Sequence, residues 1–333
     1  MQITADVFGQ HNGQNINRYT ITNAAGNFIQ VSELGATWTN YNVNDHPLVA
    51  HFDKLSDYET TPFCLGMSIG RVAGRITKAK ATIDGKEYHF DANENDNTLH
   101  GGPHGFANLV WKAEQSVREH DASVTFSRNI ASSEDHFPGD LDARITYTFN
   151  DDNDVSINFS AASTATTLFN PTCHIYWNLT EGQKTLDNQL LKINSTRRLD
   201  LAPDKVPTGK FTKLAGTGYD FSEARDVPSA LADIKSQYDK KEIDDIYEVK
   251  PSDSDPIAVL SDKASNRHVA IYSDRNALVV FTANPFDDSK PYNALATEAQ
   301  TLPDAINHDG FGDITLHPGD LKSYTIKYHY YEA

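Results

Sequence analysis

Residues 170–179 read NPTCHIYWNL, which places a titratable ring, His174, inside an apolar and aromatic run. Three other stretches interrupt strand-like text in the same way. GRVAGRITKAK (70–80) carries Arg71 and Arg75, NTLHGGPHGFANLVW (97–111) carries His100 and His104, and TEAQTLPDAINHDGFGD (297–313) carries Glu298. Imidazoles and carboxylates move protons near neutral pH, and guanidinium groups hold oxygen ligands. Each residue alone also has a plainer explanation. His174 reads as a core histidine satisfied by backbone, Arg71 and Arg75 as surface charges, and Glu298 as a solvated carboxylate at a sheet edge. His100 and His104 have the i, i+4 spacing of a helical metal pair, but the intervening Gly101-Gly102-Pro103 argues against a helix, and no metal is expected. The glycines after His100 leave the backbone unshielded, as where a ligand or another chain segment comes close. No nucleophile elbow, phosphate-binding loop or dinucleotide fingerprint occurs.

The elements that must position these groups are strands. RITYTFNDDNDVSINFSA (144–161) alternates Ile145, Tyr147 and Phe149, turns, and alternates again through Val155, Ile157 and Phe159. That is a hairpin with one polar face. KATIDGKEYHF (80–90) is a second, turning at Asp84-Gly85. HVAIYSDRNALVVFTAN (268–284) reads as a third, RYTITNAAGNFIQVSEL repeats the pattern near the N-terminus, and SYTIKYHYYEA (323–333) is a closing strand. Helical signals are sparse: SEARDVPSALADI (222–234) holds a turn or two, interrupted by Pro228. Closely spaced turns without a linker, repeat or low-complexity tract predict one antiparallel all-β domain over 1–333, a sandwich or barrel with few short helices.

Extended geometry sets the faces. In 174–178, His174, Tyr176 and Asn178 share one side while Ile175 and Trp177 share the other, so Trp177 belongs to the core.

The 333 residues are 38% hydrophobic, enough for a substantial core, and carry a formal charge of −17. That charge excludes a nucleic-acid partner and disfavours an anionic membrane surface. Two cysteines, Cys64 and Cys173, make no disulfide framework, which fits a reducing compartment. With no signal-peptide pattern and no apolar run of about 20 residues, a cytoplasmic location is expected.

Taken in order along the chain, the stretches resemble the aldose 1-epimerase (galactose mutarotase) family. GRVAGRI is similar to its arginine motif, TLHGG to its first histidine motif and NPTCHIYWNL to its second. IDDIYEV (243–249) resembles its aspartate motif, and TEAQTLPDAIN its glutamate motif. The resemblance implies the large galactose mutarotase-like β-supersandwich and interconversion of the α and β anomers of free sugars such as galactose and glucose. It implies no metal and no organic cofactor. Glu298 would take the proton of the anomeric hydroxyl, His174 would protonate the ring oxygen and His100 would assist there. Arg75 and Asp244 would hold sugar hydroxyls, Tyr176 would face the sugar, and Phe281 would offer its ring to the C–H face. Two positions stay open. Asp244 is followed by Asp245 where the family has histidine, and Arg71 could share or take the role of Arg75. Relatives acting on maltose or on hexose 6-phosphates, a sugar-binding module without catalysis, and a glycoside hydrolase are the alternatives. A monomer or homodimer is expected.

Overall fold

The computed structural model describes residues 1–333, with three short α-helices among strands paired antiparallel. The chain is an all-β sandwich. A nine-stranded sheet starts from Lys112–Val117, Asp121–Ile130, Leu141–Asn150 and Asp154–Ser163 in sequence order. It then takes Lys322–Glu332 as its next strand and continues through Arg267–Ser273, Ala258–Asp262, Gln189–Ile193 and Arg225–Asp226. A six-stranded sheet runs Ile175–Trp177, Ala294–Gln300, Ala277–Ala283, Asp244–Glu248, Arg197–Leu201 and Pro207–Lys213. A five-stranded N-terminal sheet spans Gln2 to Pro47.

The alternation read from the sequence is what allows these layers to close. Along Leu141–Asn150 every second residue is buried, and Val155, Ile157 and Phe159 are fully buried beside them. One aromatic cluster joins the three sheets. Trp38 of the N-terminal sheet lies 5.7 Å from Trp177, 5.3 Å from Tyr328 and 6.4 Å from Tyr147, ring centre to ring centre. Trp177 is therefore core, as its place in the alternation predicts.

Two expectations fail. Arg267–Ser273 and Ala277–Ala283 are consecutive strands but do not pair, because each joins a different sheet. Ala277–Ala283 is buried on both faces, so it lacks the one-sided pattern of a solvent-facing hairpin. Pro228 does not interrupt a helix either. It sits in the first turn of the helix Val227–Tyr238, where its missing N–H costs nothing, and the Asp226 side chain caps that end by accepting from the Ser229 N–H at 3.0 Å.

Candidate active site

The six-stranded sheet has one face on the main core and the other under a cavity. Along Ala294–Gln300, Leu295 and Ala299 pack into the core, while Glu298 and Gln300 line the cavity on the opposite face. In the neighbouring strand Ile175 pairs with Thr297 and Tyr176 with Ala296. One further step of that register sets His174 opposite Glu298, so both side chains rise on the same face. Their separation follows: His174 Nε2 lies 3.4 Å from Glu298 Oε1.

NPTCHIYWNL is stitched along its whole length to the segment that carries Glu298. The Asn170 side chain donates to the Thr301 carbonyl at 3.0 Å and accepts from the Thr301 N–H at 2.9 Å, imitating a strand partner. Thr172 Oγ1 donates to the Ala299 carbonyl at 2.8 Å, Trp177 Nε1 to Thr297 Oγ1 at 2.9 Å and Asn178 Nδ2 to the Asn293 carbonyl at 2.6 Å. Buried Arg275 bridges the Pro171 and Ala299 carbonyls. The motif thus fixes His174 relative to Glu298 before any ligand arrives.

His100 enters from the TLHGG turn. Its φ is +55°, and those of Gly101 and Gly102 are +85° and +79°, a left-handed run that only glycines adopt without strain. A Cβ on Gly101 would stand 1.9 Å from the Gly70 carbonyl oxygen, so the glycines admit another chain segment rather than a ligand. His100 Nδ1 accepts from the Gly74 N–H at 3.3 Å, which assigns the ring proton to Nε2 in the neutral tautomer. The His100 and His174 rings meet edge to face, 5.4 Å between centres. His104 instead faces His136 at 6.0 Å, so no His100–His104 pair exists.

The cavity measures ≈ 230 Å³. It brings together seven of the eight residues expected from the sequence: Glu298, His174, His100, Arg75, Asp244, Tyr176 and Phe281. Tyr176 stacks on His174 at 5.0 Å, but its hydroxyl already donates to the Phe63 carbonyl at 2.9 Å, so it serves mainly to hold the imidazole. Phe281 pairs across the sheet with Asp244 and is only half-buried, leaving its ring available. Asp245 points away, 1% exposed and paired with Arg198 at 2.6 Å, so Asp244 is the aspartate at the cavity.

Arg71 is the correction. It does not line the cavity. It is fully buried with its fork on Asp135, at 2.6 Å and 2.9 Å, and Nη1 on the Pro138 carbonyl and Thr167 hydroxyl at 3.1 Å each. Glu298 is no edge carboxylate either, at 3% exposed.

Three neighbours of the site were not singled out from the sequence, although Gln300 lies within TEAQTLPDAIN. Glu94 holds Arg75 by two hydrogen bonds, one of 2.8 Å, leaving Nη1 free. Lys205 pairs with Asp244 at the cavity wall. Gln300 lies two residues beyond Glu298 on the same face, fully buried, with neither amide atom partnered. Glu298 Oε2 and His174 Nδ1 are also buried without a partner. Orphaned buried polar atoms facing a cavity are the mark of a site that a polar ligand completes.

Burial sets the electrostatics. It pushes Glu298 up to about 8, helped by the nearby Asp244 charge, and pushes His174 down to about 4. His100 is held well below the ordinary imidazole range by burial and by His174 and Arg75. Glu298 and His174 therefore hold one proton between them across neutral pH. The donor atoms of His100, His174 and Glu298 lie within 4.8 Å of one another, a spacing that could seat a cation. A cation there would take up the atoms that Glu298 and His174 turn toward each other, so it would compete with a ligand's oxygens for them.

The sequence model of the family described as Aldose 1-epimerase matches residues 17–329. This chain belongs to that family. It is accordingly a carbohydrate isomerase by descent, with relatives that match from end to end. A maltose epimerase of Levilactobacillus brevis is 44% identical over 99% of both chains, and an aldose 1-epimerase of Streptococcus thermophilus is 35% identical over 100% of this chain and 99% of its own. Among solved structures, an aldose epimerase homologue from C. elegans superposes with a TM-score of 0.85 at 26% identity, covering 94% of this chain and 98% of its own. A galactose 1-epimerase from Lactobacillus acidophilus has the same fold, with a TM-score of 0.89 at 22% identity over 100% and 99% of the two chains. No helix is long and apolar enough to cross a membrane.

Proposed function

We propose that the protein interconverts the α and β anomers of free aldohexoses, glucose and galactose, by acid–base ring opening and closure. The observation that carries this reading is the Glu298–His174 pair, 3.4 Å apart and buried at the cavity. Opening a hemiacetal takes a proton from O1 and delivers one to O5. Both oxygens are bonded to C1, so the acid and the base must be close neighbours. Burial favours the proton on the Glu298 carboxyl. Its transfer to His174 Nε2 creates the carboxylate and imidazolium that the reaction uses. Glu298 then takes the O1 proton, C1=O1 forms as the C1–O5 bond breaks, and O5 receives the proton of His174. Rotation about C1–C2 presents the other face of the aldehyde, and closure reverses both transfers. His100 Nε2–H donates near the ring oxygen, and Arg75 Nη1 and Asp244 hold hydroxyls. Each positioned group is worth about 10²–10⁴-fold.

Identity to the maltose epimerase favours a second reading, maltose as a substrate alongside glucose. Hexose 6-phosphates fit less well. The two cations of the cavity, Arg75 and Lys205, are already paired with Glu94 and Asp244, and Arg71 is elsewhere.

Polarimetry of freshly dissolved α-glucose and α-galactose tests the reading: the protein shortens the approach to equilibrium rotation, whereas a sugar-binding module leaves the curve unchanged. Release of nitrophenol from a nitrophenyl glycoside would point to a hydrolase instead. The pH profile follows from the proton count. Below about 4 the pair gains a second proton and has no base; above about 8 it loses its only proton and has no acid. A plot of kcat/KM is therefore bell-shaped with limbs near those values, and a flat profile from about pH 4 to 9 contradicts the assignment.

A further inference from the structure

We propose that a cleft beside the cavity mouth is a second sugar subsite, which takes the non-reducing ring of a 4-O-linked disaccharide while its reducing ring reacts. The proposal rests on the reading above and adds where the rest of the substrate goes. Its first support is the shape of a pyranose. O1 and O5 are both attached to C1, and Glu298 and His174 hold them at the buried floor. The C3–C4 bond lies diametrically across the ring, so it points to the mouth. A group carried on O4 leaves through that mouth without disturbing the acid–base pair, whereas a group on O1 removes the reacting hydroxyl.

The second support is what lies outside. A cleft of ≈ 540 Å³, larger than the cavity itself, adjoins it and shares Leu201, Lys205 and Asp244 with it. The Lys205–Asp244 ion pair is thus the partition between the two hollows. Lys205 is set there by a tight turn, with its N–H on the Ala202 carbonyl at 2.8 Å and the Ala202 N–H on the Val206 carbonyl at 2.9 Å. The outer wall is supplied by Pro203, Lys240, Lys241 and Glu242. Lys240 and Lys241 are exposed and make neither a salt bridge nor a side-chain hydrogen bond, so their donors are available.

The third support is chemical class. The cleft offers ammonium donors and carboxylate acceptors side by side, since Asp239 and Glu242 line it together with the lysines. Mixed signs match a ring of hydroxyls, each both donor and acceptor, and repel a phosphate as much as they attract it. The cavity floor would then recognise the reducing sugar and the cleft its appendage.

The experiment compares kcat/KM for anomer exchange on glucose and on freshly dissolved maltose, in the unaltered protein and in the double variant Lys240→Ala, Lys241→Ala. Both lysines are exposed, so the variant folds, and its rate on glucose verifies that. The unaltered protein accelerates both sugars. In the variant the value for maltose falls about tenfold, mostly through KM, as two hydrogen bonds are lost, while that for glucose stays within about twofold. Equal changes on both sugars, no change on either, or an unaltered protein that accelerates glucose but not maltose would overturn the subsite. Acceleration of neither sugar by the unaltered protein would instead overturn the proposed activity itself.

Discussion

Glu298→Gln lowers anomer exchange by about 10²–10⁴-fold while leaving the protein folded and, above neutral pH, more stable. Glutamine keeps the size of the side chain but takes no proton from O1, so the loss falls on kcat. The gain in stability has a separate origin. The carboxyl holds its proton to about 8 in the folded state, against an ordinary value of 4.5. Between those values the unfolded chain releases a proton that the native state keeps. Stability from this group is full below about 4.5 and is lost as pH rises through about 8. The amide never ionises and escapes that loss. The Tm of Glu298→Gln minus that of the unaltered protein therefore grows from pH 5 to pH 8 and levels off beyond. Retention of most of the rate would remove Glu298 as the base, and a fall in Tm at all pH values would contradict its raised carboxyl.

Arg71→Leu destabilises the fold by about 3–5 kcal/mol, because it strands Asp135 in the interior without its counter-charge. In a chain of this size that is a drop in Tm on the order of 10 °C. Burial raises the Asp135 carboxyl and lowers the Arg71 guanidinium, each against the favourable charge of the other, so neither tolerates solitude. The paired variant Arg71→Leu, Asp135→Leu recovers much of the loss, since no buried charge remains. In whatever folds, kcat on glucose is unchanged, because Arg71 lies outside the cavity. A variant that keeps its Tm but loses affinity for sugar would restore Arg71 to the binding site.

The two arginines show where sequence reasoning reaches its limit. Spacing of four on a continuous strand would put Arg71 and Arg75 on one face. Between them the chain turns through Gly74 at φ +72°, and the strand Arg75–Ile76 begins only after that turn. Glu298 and His174 were legible because short-range patterns surround them and alternation settles which way each points. Lys205 and Glu94 were not, since their partners stand 39 and 19 residues away and no local pattern marks either. The fold shows the same division. Hairpins with one wet face, such as 144–161, announce both strand and partner. The strands Arg267–Ser273 and Ala277–Ala283 announce only that they are strands. Their connection carries Arg275 into the interior between sheets, and an arginine in a turn reads as solvent-exposed.

The place of Lys322–Glu332 in the nine-stranded sheet has a consequence for biosynthesis. Its neighbours are Asp154–Ser163 on one side and Arg267–Ser273 on the other. The hairpins over 112–163 can form while the ribosome is still working, yet the two halves of the sheet stay apart until the strand that welds them emerges. A nascent chain stalled before residue 322 presents two bare β-edges at once, each a template for a neighbouring polypeptide. Chaperone demand should therefore be highest in the interval before that strand is made.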